Sequence, residues 1–448
     1  MFFPATDYKQ ISAESTRALS GYYTDNLISF NVARIFTEAR SITNTVVVPV
    51  WSFFDRTPIA GALVAFFWYV FGIRENAAWL GSSPGNFFYY QEQLIVLNLL
   101  SVFALGCFLL RRGKKVLPTI AILLLGPFVF LNLGFAWPKF FSAFFAIVAL
   151  DFLSFLIDSD KKLGKEYFIS GFLLGMAYLT HESAIFFIAS LFAVFVLARF
   201  VSVRFLNFKQ ILLLFLGLFT AVSPWFALRF FYEEKSSHML ALHLFCVTDL
   251  SYQNMTTRQA LLEYLKNNSL RQILKVKLGN IFYPFSIVDA FKSVQGDYFN
   301  FLSWLRVLTT LSKYQLIHAI SLPAFLVSIW GLIKWLTRKD LVWLFVIAGV
   351  VSVFPAAMLF GCEKSTWNHT WIYTSVLLLA FPLEQLISRS NVSSFFLVIC
   401  GLILFINQLI MEVDFFTVAG AAYLFWLFML FCMLGISICI FGEKCELQ

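Results

Sequence analysis

Apolar runs recur from residue 92 to the C-terminus, and several reach the ~20 residues that a helix needs to cross a bilayer. In lipid each backbone N–H and C=O must be satisfied within its own segment, so a chain of this kind folds as a bundle of helices. The composition agrees. Of 448 residues, 60% are hydrophobic and 13% are charged, about half the charged share of a soluble domain. The 56 phenylalanines add bulk and no chemistry. The expected fold class is all-α, a polytopic membrane helix bundle of about eleven transmembrane helices, with external amphipathic helices and one large external loop.

The net charge of +8 sits largely in short links, where it sets topology and does not point to nucleic acid. The expected spans are 92–110, 116–133, 137–157, 167–181, 183–200, 210–230, 316–336, 341–360, 370–387, 394–411 and 416–441. If each one crosses, the basic links Arg111–Lys115, Asp158–Lys165, Arg199–Lys209 and Lys334–Asp340 all fall on one side. The links around "AWPK", "THES", "GCEKSTWNH" and "MEVDFF" fall on the other. The basic side is read as cytoplasmic, which puts residues 1–91 and the loop 231–315 outside. Four regions follow: an external region 1–91, an N-terminal bundle 92–230, the external loop 231–315 and a C-terminal bundle 316–448. An external start calls for a first span ahead of residue 1, or for a crossing by Pro58–Phe71. The former is preferred, because Pro58–Phe71 is short for a span. Met1–Gly21 lacks a basic start followed by an apolar core, so no cleavable signal peptide is read there. The seven cysteines form no CxxC pair; most lie inside apolar segments and are read as small hydrophobes, with neither a metal site nor a disulfide framework.

The external side collects the residue types that carry chemistry. Asp7, Asp25, Asp55 and Glu75 lie before the first span. "NLISFNVARIFTEA" (Asn26–Ala39) has helical apolar spacing and reads as an interfacial helix, with Thr24-Asp25 where an N-cap is preferred. Asp25 therefore has a purely structural reading as that cap, and Asp55 has one in a turn or salt bridge with Arg56 before Pro58. Lys139 follows Pro138 at an outer helix end, placed either to snorkel or to meet a lipid phosphate. His181-Glu182 marks a break between two spans, with a solvated turn as the bland alternative. Lys364, Trp367 and His369 combine cation and aromatics, which suits an anionic lipid head carrying a sugar and equally an interfacial aromatic belt. In the long loop, Met255–Phe285 carries leucines at helical spacing for packing on the membrane face, and Arg271, Lys275 and Lys277 are placed for lipid phosphates.

"TDNLISFNVARIF" followed about thirty residues later by "FFDRTPIAG" resembles the first external loop of the GT-C superfamily of polyprenyl-phosphate-sugar-dependent glycosyltransferases. That group includes protein O-mannosyltransferases and the lipid A aminoarabinose transferase. The resemblance lies in the order of features and in the general helix pattern over most of the chain, more than in individual letters. The first acid is Asp25-Asn26 where such families often have Asp-Glu, and Asp7 is a rival for the place. The resemblance implies an inverting transferase on the non-cytoplasmic face of a bacterial cytoplasmic membrane. Its partners are a polyprenyl-phosphate-linked sugar, a glycan, lipid or protein acceptor, and membrane lipids. No cofactor is required by it beyond an optional divalent cation. Asp25, Asp7 and Asp55 take the catalytic roles, since transfer needs a carboxylate to activate the acceptor. Arg56, Lys139 and Lys364 take the donor phosphate, whose departure needs positive charge. His181, Glu182, Trp367 and His369 take the substrate. The alternatives are an O-antigen-type polymerase or ligase, which relies on external Arg and His, and a lipid-linked oligosaccharide transporter, which needs interrupted, repeated helices.

Overall fold

The computed structural model describes residues 23–38, 46–48, 51–72, 84–134, 137–158, 164–201, 206–232, 244–246, 257–283, 303, 333, 341–363, 372–389, 402 and 418–445. The expected spans 316–336 and 394–411 lie almost wholly outside these residues, as do Asp7, Lys364, Trp367 and His369. For Asp25 and Asp55 the backbone alone is described.

The protein is a helical membrane bundle. Among the described residues, five helical stretches are long and apolar enough to cross a membrane: Tyr90–Arg111, Lys139–Ile157, Ala184–Val201, Phe208–Tyr232 and Leu341–Leu359. They belong to α3 (Pro84–Arg111), α6 (Lys139–Asp158), α8 (Ala184–Val201), α9 (Phe208–Tyr232) and the pair α12 (Leu341–Val351) and α13 (Val353–Leu359). Between α3 and α6 the chain returns through α4 (Val116–Leu125) and α5 (Pro127–Leu133). The return helix is split at Gly126, because Pro127 has no N–H to continue the ladder and suits the first turn of a new helix. α7 (Gly164–Thr180) lies between α6 and α8, while α14 (Tyr373–Leu378), α15 (Ala380–Arg389) and α16 (Val418–Cys445) complete the bundle.

Side-chain contacts fix the directions. The Asn98 carbonyl accepts from the Phe141 N–H at 3.0 Å, capping the start of α6 from α3. Farther along the same two helices, the Arg111 Nε donates to Asp151 at 3.0 Å. The two helices thus run parallel, as alternating spans require. Ser142 of α6 donates to the Ala177 carbonyl, so the end of α7 lies beside the start of α6. Arg111 and Arg112, with Lys114 held at 3.1 Å by Glu384 of α15, gather at the opposite end. Gly113, at φ 64°, makes the sharp turn there: the Lys114 N–H reaches the Leu109 carbonyl and the Gly113 N–H that of Leu110.

α7 and α9 approach more closely than bulky side chains allow. Gly171 and Gly175 on α7 face Gly217 and Ala221 on α9, each pair four residues apart and so on one helix face. A Cβ at Gly217 would stand 2.7 Å from the Phe172 backbone nitrogen, and one at Gly171 2.8 Å from the Leu214 Cα. This small-residue seam is how helices associate where lipid removes the hydrophobic drive between them.

The described residues before position 72 pack onto the bundle. α1 (Tyr23–Thr37) lies against α2 (Ile59–Val70), and between them runs an antiparallel strand pair, β1 (Val46–Val48) and β2 (Trp51–Ser52). That pair is a local addition to the expected all-α fold. Phe30 stacks edge-on against Trp68 and Tyr90 at 5.2 and 5.3 Å, and Phe53 against Trp225 of α9 at 5.7 Å. Edge-to-face aromatic pairs add to what their burial already contributes. α1 and α2 are therefore built into the core and do not merely rest on a membrane surface. Asp25 lies within α1 and not ahead of it, which removes the N-cap reading.

Beyond α9, α10 (Thr257–Asn267) and α11 (Leu270–Phe282) form a helical pair joined by a capping box at Ser269 and Gln272. Leu261, Leu262, Leu265, Leu270, Leu274 and Leu278 are exposed, as the expected apolar face requires. Lys277 departs from expectation. It donates to the Phe360 carbonyl at the end of α13, and Asn280 donates to the Cys362 carbonyl at 2.9 Å, so Lys277 tethers the pair and is not free for lipid. Burial lowers the Lys277 ammonium pKa accordingly. Cys246 and Cys362 are joined by a disulfide across 116 residues, which corrects the expectation of no disulfide framework.

Candidate functional site

Four of the residues singled out by sequence meet at the Lys139 end of the bundle. Each comes from a segment end. Arg56 follows the 3-10 turn Phe53–Asp55 and is turned toward the bundle by Pro58 and α2. Lys139 opens α6 directly after Pro138. His181 and Glu182 form the three-residue link between α7 and α8 with Ser183.

The Arg56 guanidinium makes an ion pair with Glu182, 126 residues away in sequence. Lys139 is only 6% exposed. Its ammonium stands 3.6 Å from the centre of the Trp137 ring and 5.4 Å from that of Tyr373. Both rings present a negative face to it, a contact that strengthens away from water. The Tyr373 hydroxyl is anchored on Asn132 at 3.1 Å. This cage corrects the snorkelling alternative: Lys139 is held between aromatic faces at the helix start and does not reach for open water.

His181 is 8% exposed, which corrects the solvated-turn alternative. Its Nδ1 accepts from the Ser183 N–H at 3.2 Å and lies 2.8 Å from the Ser183 hydroxyl. An Nδ1 that accepts leaves the ring proton on Nε2. Burial lowers the His181 pKa most; Glu182 opposes, and Lys139 and Arg56 lower it further, to about 3. The ring is thus neutral at pH 7, and the cluster of two cations, one carboxylate and one neutral imidazole carries an excess positive charge.

A consequence for stability has a definite sign. Unfolded, this histidine protonates near pH ~6.5; folded, it does so near 3. Its contribution is therefore complete above the unfolded value and is lost as pH falls toward the folded one. The melting temperature of the protein is expected to drop between about pH 6.5 and 4.5 more steeply than that of His181→Gln. Parallel curves for the two proteins would show that His181 is not held neutral.

The aromatic floor of the site was not read from sequence. Trp137 adjoins Pro138 in "AWPK", so an aromatic beside a helix-opening Pro-Lys was its available signal. Tyr373 lies 234 positions from Lys139 along the chain and offered none. Tyr178 of α7, within electrostatic reach of Glu182 and of Arg229 on α9, also joins the cluster unannounced. Asp55 adjoins Arg56 at the site's edge, and α1, which bears Asp25, packs on α2, the helix that Arg56 leads into. Among the described residues no group of three or more His, Cys, Asp or Glu is arranged to hold a metal ion.

No protein-family model matches the chain, and no curated protein matches it. Among solved structures, the chain is similar to the crystal structure of the Archaeoglobus fulgidus oligosaccharyltransferase in the apo form. The sequence identity is 15% and the TM-score 0.48, over 93% of this chain and 55% of that one. The chain thus spans about half the length of that protein.

The electrostatics define what the cluster can do. A caged lysine and an arginine whose side chain is 15% exposed, at one end of an apolar bundle, suit an anion whose remainder is hydrophobic. The neutral His181 and the carboxylate of Glu182 offer a donor and an acceptor beside that anion.

Proposed function

We propose that the protein is a GT-C-type membrane glycosyltransferase that moves a sugar from a polyprenyl-phosphate donor to a cell-surface glycan, lipid or protein acceptor. The observation that carries this reading is the convergence of Arg56, Lys139, His181 and Glu182 from three distant segments at one end of a membrane bundle. Arg56 and Lys139 hold the donor phosphate and stabilise the charge it gains as the sugar leaves. His181 and Glu182 contact the sugar. Lys364 is assigned to the donor phosphate and Trp367 and His369 to the sugar, and Asp55 orients acceptor or sugar. The general base is Asp25 of α1, with Asp7 as the alternative, because an acceptor hydroxyl or amine must lose its proton as the bond forms.

Two features support placing this end on the non-cytoplasmic side. The arginines and lysines of the 111–115 link gather at the opposite end. The Cys246–Cys362 bridge stands at the Lys139 end: Phe360, two residues before Cys362, lies 5.6 Å ring to ring from Phe186, near the start of α8 and next to the His181 link. Disulfides persist in oxidising compartments and not in a reducing cytosol. We place the protein in a bacterial cytoplasmic membrane with this end outward.

The test is transfer of a radiolabelled sugar from its polyprenyl-phosphate carrier into membrane acceptors. Asp25→Asn is expected to lower transfer by roughly a hundredfold or more while donor binding persists. Full activity in Asp25→Asn removes Asp25 as the base; loss in Asp7→Asn alone moves the role there. The presence of Arg56 and His181 in one cluster also favours the polymerase or ligase reading, in which an early carboxylate is dispensable. Unchanged transfer in both aspartate variants, with loss in Arg56→Ala, selects it.

A further inference from the structure

A cavity lies apart from the cationic cluster, under the helical pair α10–α11. Its volume is about 640 Å³, within the range of small-molecule sites. The walls are the second half of α10 and the first turns of α11; the floor is the Cys246–Cys362 bridge. Gly361 lets the two arms of the floor lie together, since a Cβ there would stand 3.1 Å from the Cys246 nitrogen. Lys277 and Asn280, bonded to the carbonyls of Phe360 and Cys362, lock the walls onto the floor. The cavity is thus braced by a covalent bond and by part-buried hydrogen bonds.

Its lining is chemically specific. Asn267 presents an amide; Asn268 and Gln272 line the cavity with one end of each amide engaged, the Asn268 Nδ2 donating to the Tyr264 carbonyl at 3.0 Å and the Gln272 Oε1 accepting from Ser269; Glu263 and Glu363 present carboxylates, and Tyr264 a ring that packs 5.8 Å from Phe245. Planar amides and carboxylates pair with adjacent hydroxyls, each offering two polar atoms in one plane, while a tyrosine ring accepts the C–H face of a pyranose. Two carboxylates against the single Lys275 disfavour a phosphate. Such a polar lining gives no home to a prenyl tail. Among the lining elements no strand edge is present to pair with an extended peptide.

We propose that this cleft binds a neutral or amine-bearing saccharide, the acceptor glycan of the transfer reaction. That role rests on the transferase reading given above. Donor and acceptor are thereby sorted by charge at one end of the bundle: the anionic carrier to Arg56 and Lys139, the hydroxyl-rich glycan to the carboxamide cleft.

Saturation-transfer NMR on the full protein in nanodiscs tests this, with maltotetraose and glucosamine trimer as probes and an anionic hyaluronan tetrasaccharide as contrast. Sugar-proton signals are expected for at least one of the first two and none for the third. Asn267→Ala on the α10 wall and Glu363→Gln beside the floor, both exposed positions, are each expected to weaken binding about tenfold with unchanged melting temperature. Equal signals in wild type and variants, or no signal from either of the first two probes, overturn the cleft. If polyprenyl phosphate still binds in that case, the donor reading stands without it. Saccharide binding in a protein that ignores polyprenyl phosphate keeps the cleft and sinks the donor reading.

Discussion

Arg56→Ala and Lys139→Ala are each expected to weaken the binding of polyprenyl monophosphate about ten- to a hundredfold. A charge-assisted contact to phosphate contributes roughly 1.5–3 kcal/mol, and about 1.4 kcal/mol is tenfold in affinity. The two residues differ in what else they touch, and this gives the test its edge. Arg56 is already paired with Glu182, so a phosphate must compete with that carboxylate. Glu182→Gln removes the competitor and is expected to leave carrier affinity equal or higher. Lys139 is held against the ring faces of Trp137 and Tyr373, contacts that a phosphate does not displace. Measured by a bare carrier without sugar, a fall in Arg56→Ala with no fall in Glu182→Gln marks a phosphate site. An equal fall in both, accompanied by lower melting temperature, marks a structural ion pair and refutes the role.

Gly171→Leu is expected to remove nearly all folded protein. The substituted Cβ would fall on the backbone of Leu214, 2.8 Å from its Cα, and no rotamer relieves a clash between backbones. Overpacking a core by side chains costs about 1–3 kcal/mol; parting α7 from α9 along the Gly171–Gly175 seam exceeds that. α7 also delivers Thr180 and the His181 link, so a displaced helix carries the site with it. Gly435→Leu on α16 is the control, because nothing lies within 4 Å of a Cβ there. Size-exclusion profiles of the detergent-extracted proteins decide between them: a monodisperse Gly171→Leu peak at the wild-type level contradicts the seam.

The spans were legible because apolar continuity is a property of sequence alone, and α3, α6, α8 and α9 stand where it put them. Residues at span ends were legible for the same reason: Lys139, His181 and Glu182 were identified from the breaks between helices. Their pairing was not. Arg56 meets Glu182 through the packing of α2 on the bundle, which no local pattern encodes. The bland readings of Lys139 and His181 failed because solvation at a helix end depends on neighbours such as Trp137 and Tyr373. The small-residue seam was written in the sequence, as Gly171 and Gly175 against Gly217 and Ala221, but it is hidden among bulkier apolar residues that dominate a hydropathy reading. The strands β1 and β2 had a signal too, three successive valines before Pro49, whose weight only the opposing Trp51 made clear. The disulfide had none, its cysteines being 116 residues apart and in no motif.

That bridge also imposes an order on how the protein is made. Cys246 is translated long before Cys362, and in the proposed orientation, with the Lys139 end outward, it waits on the oxidising side. Cys362 stands just past α13, so it reaches that side only when α12 and α13 have been threaded through the bilayer. Oxidation therefore follows insertion and acts as its receipt. A chain that enters the membrane in the wrong orientation strands its second thiol in the cytosol, where it stays reduced. The cleft above that bond is then assembled only in molecules whose helices already cross the right way.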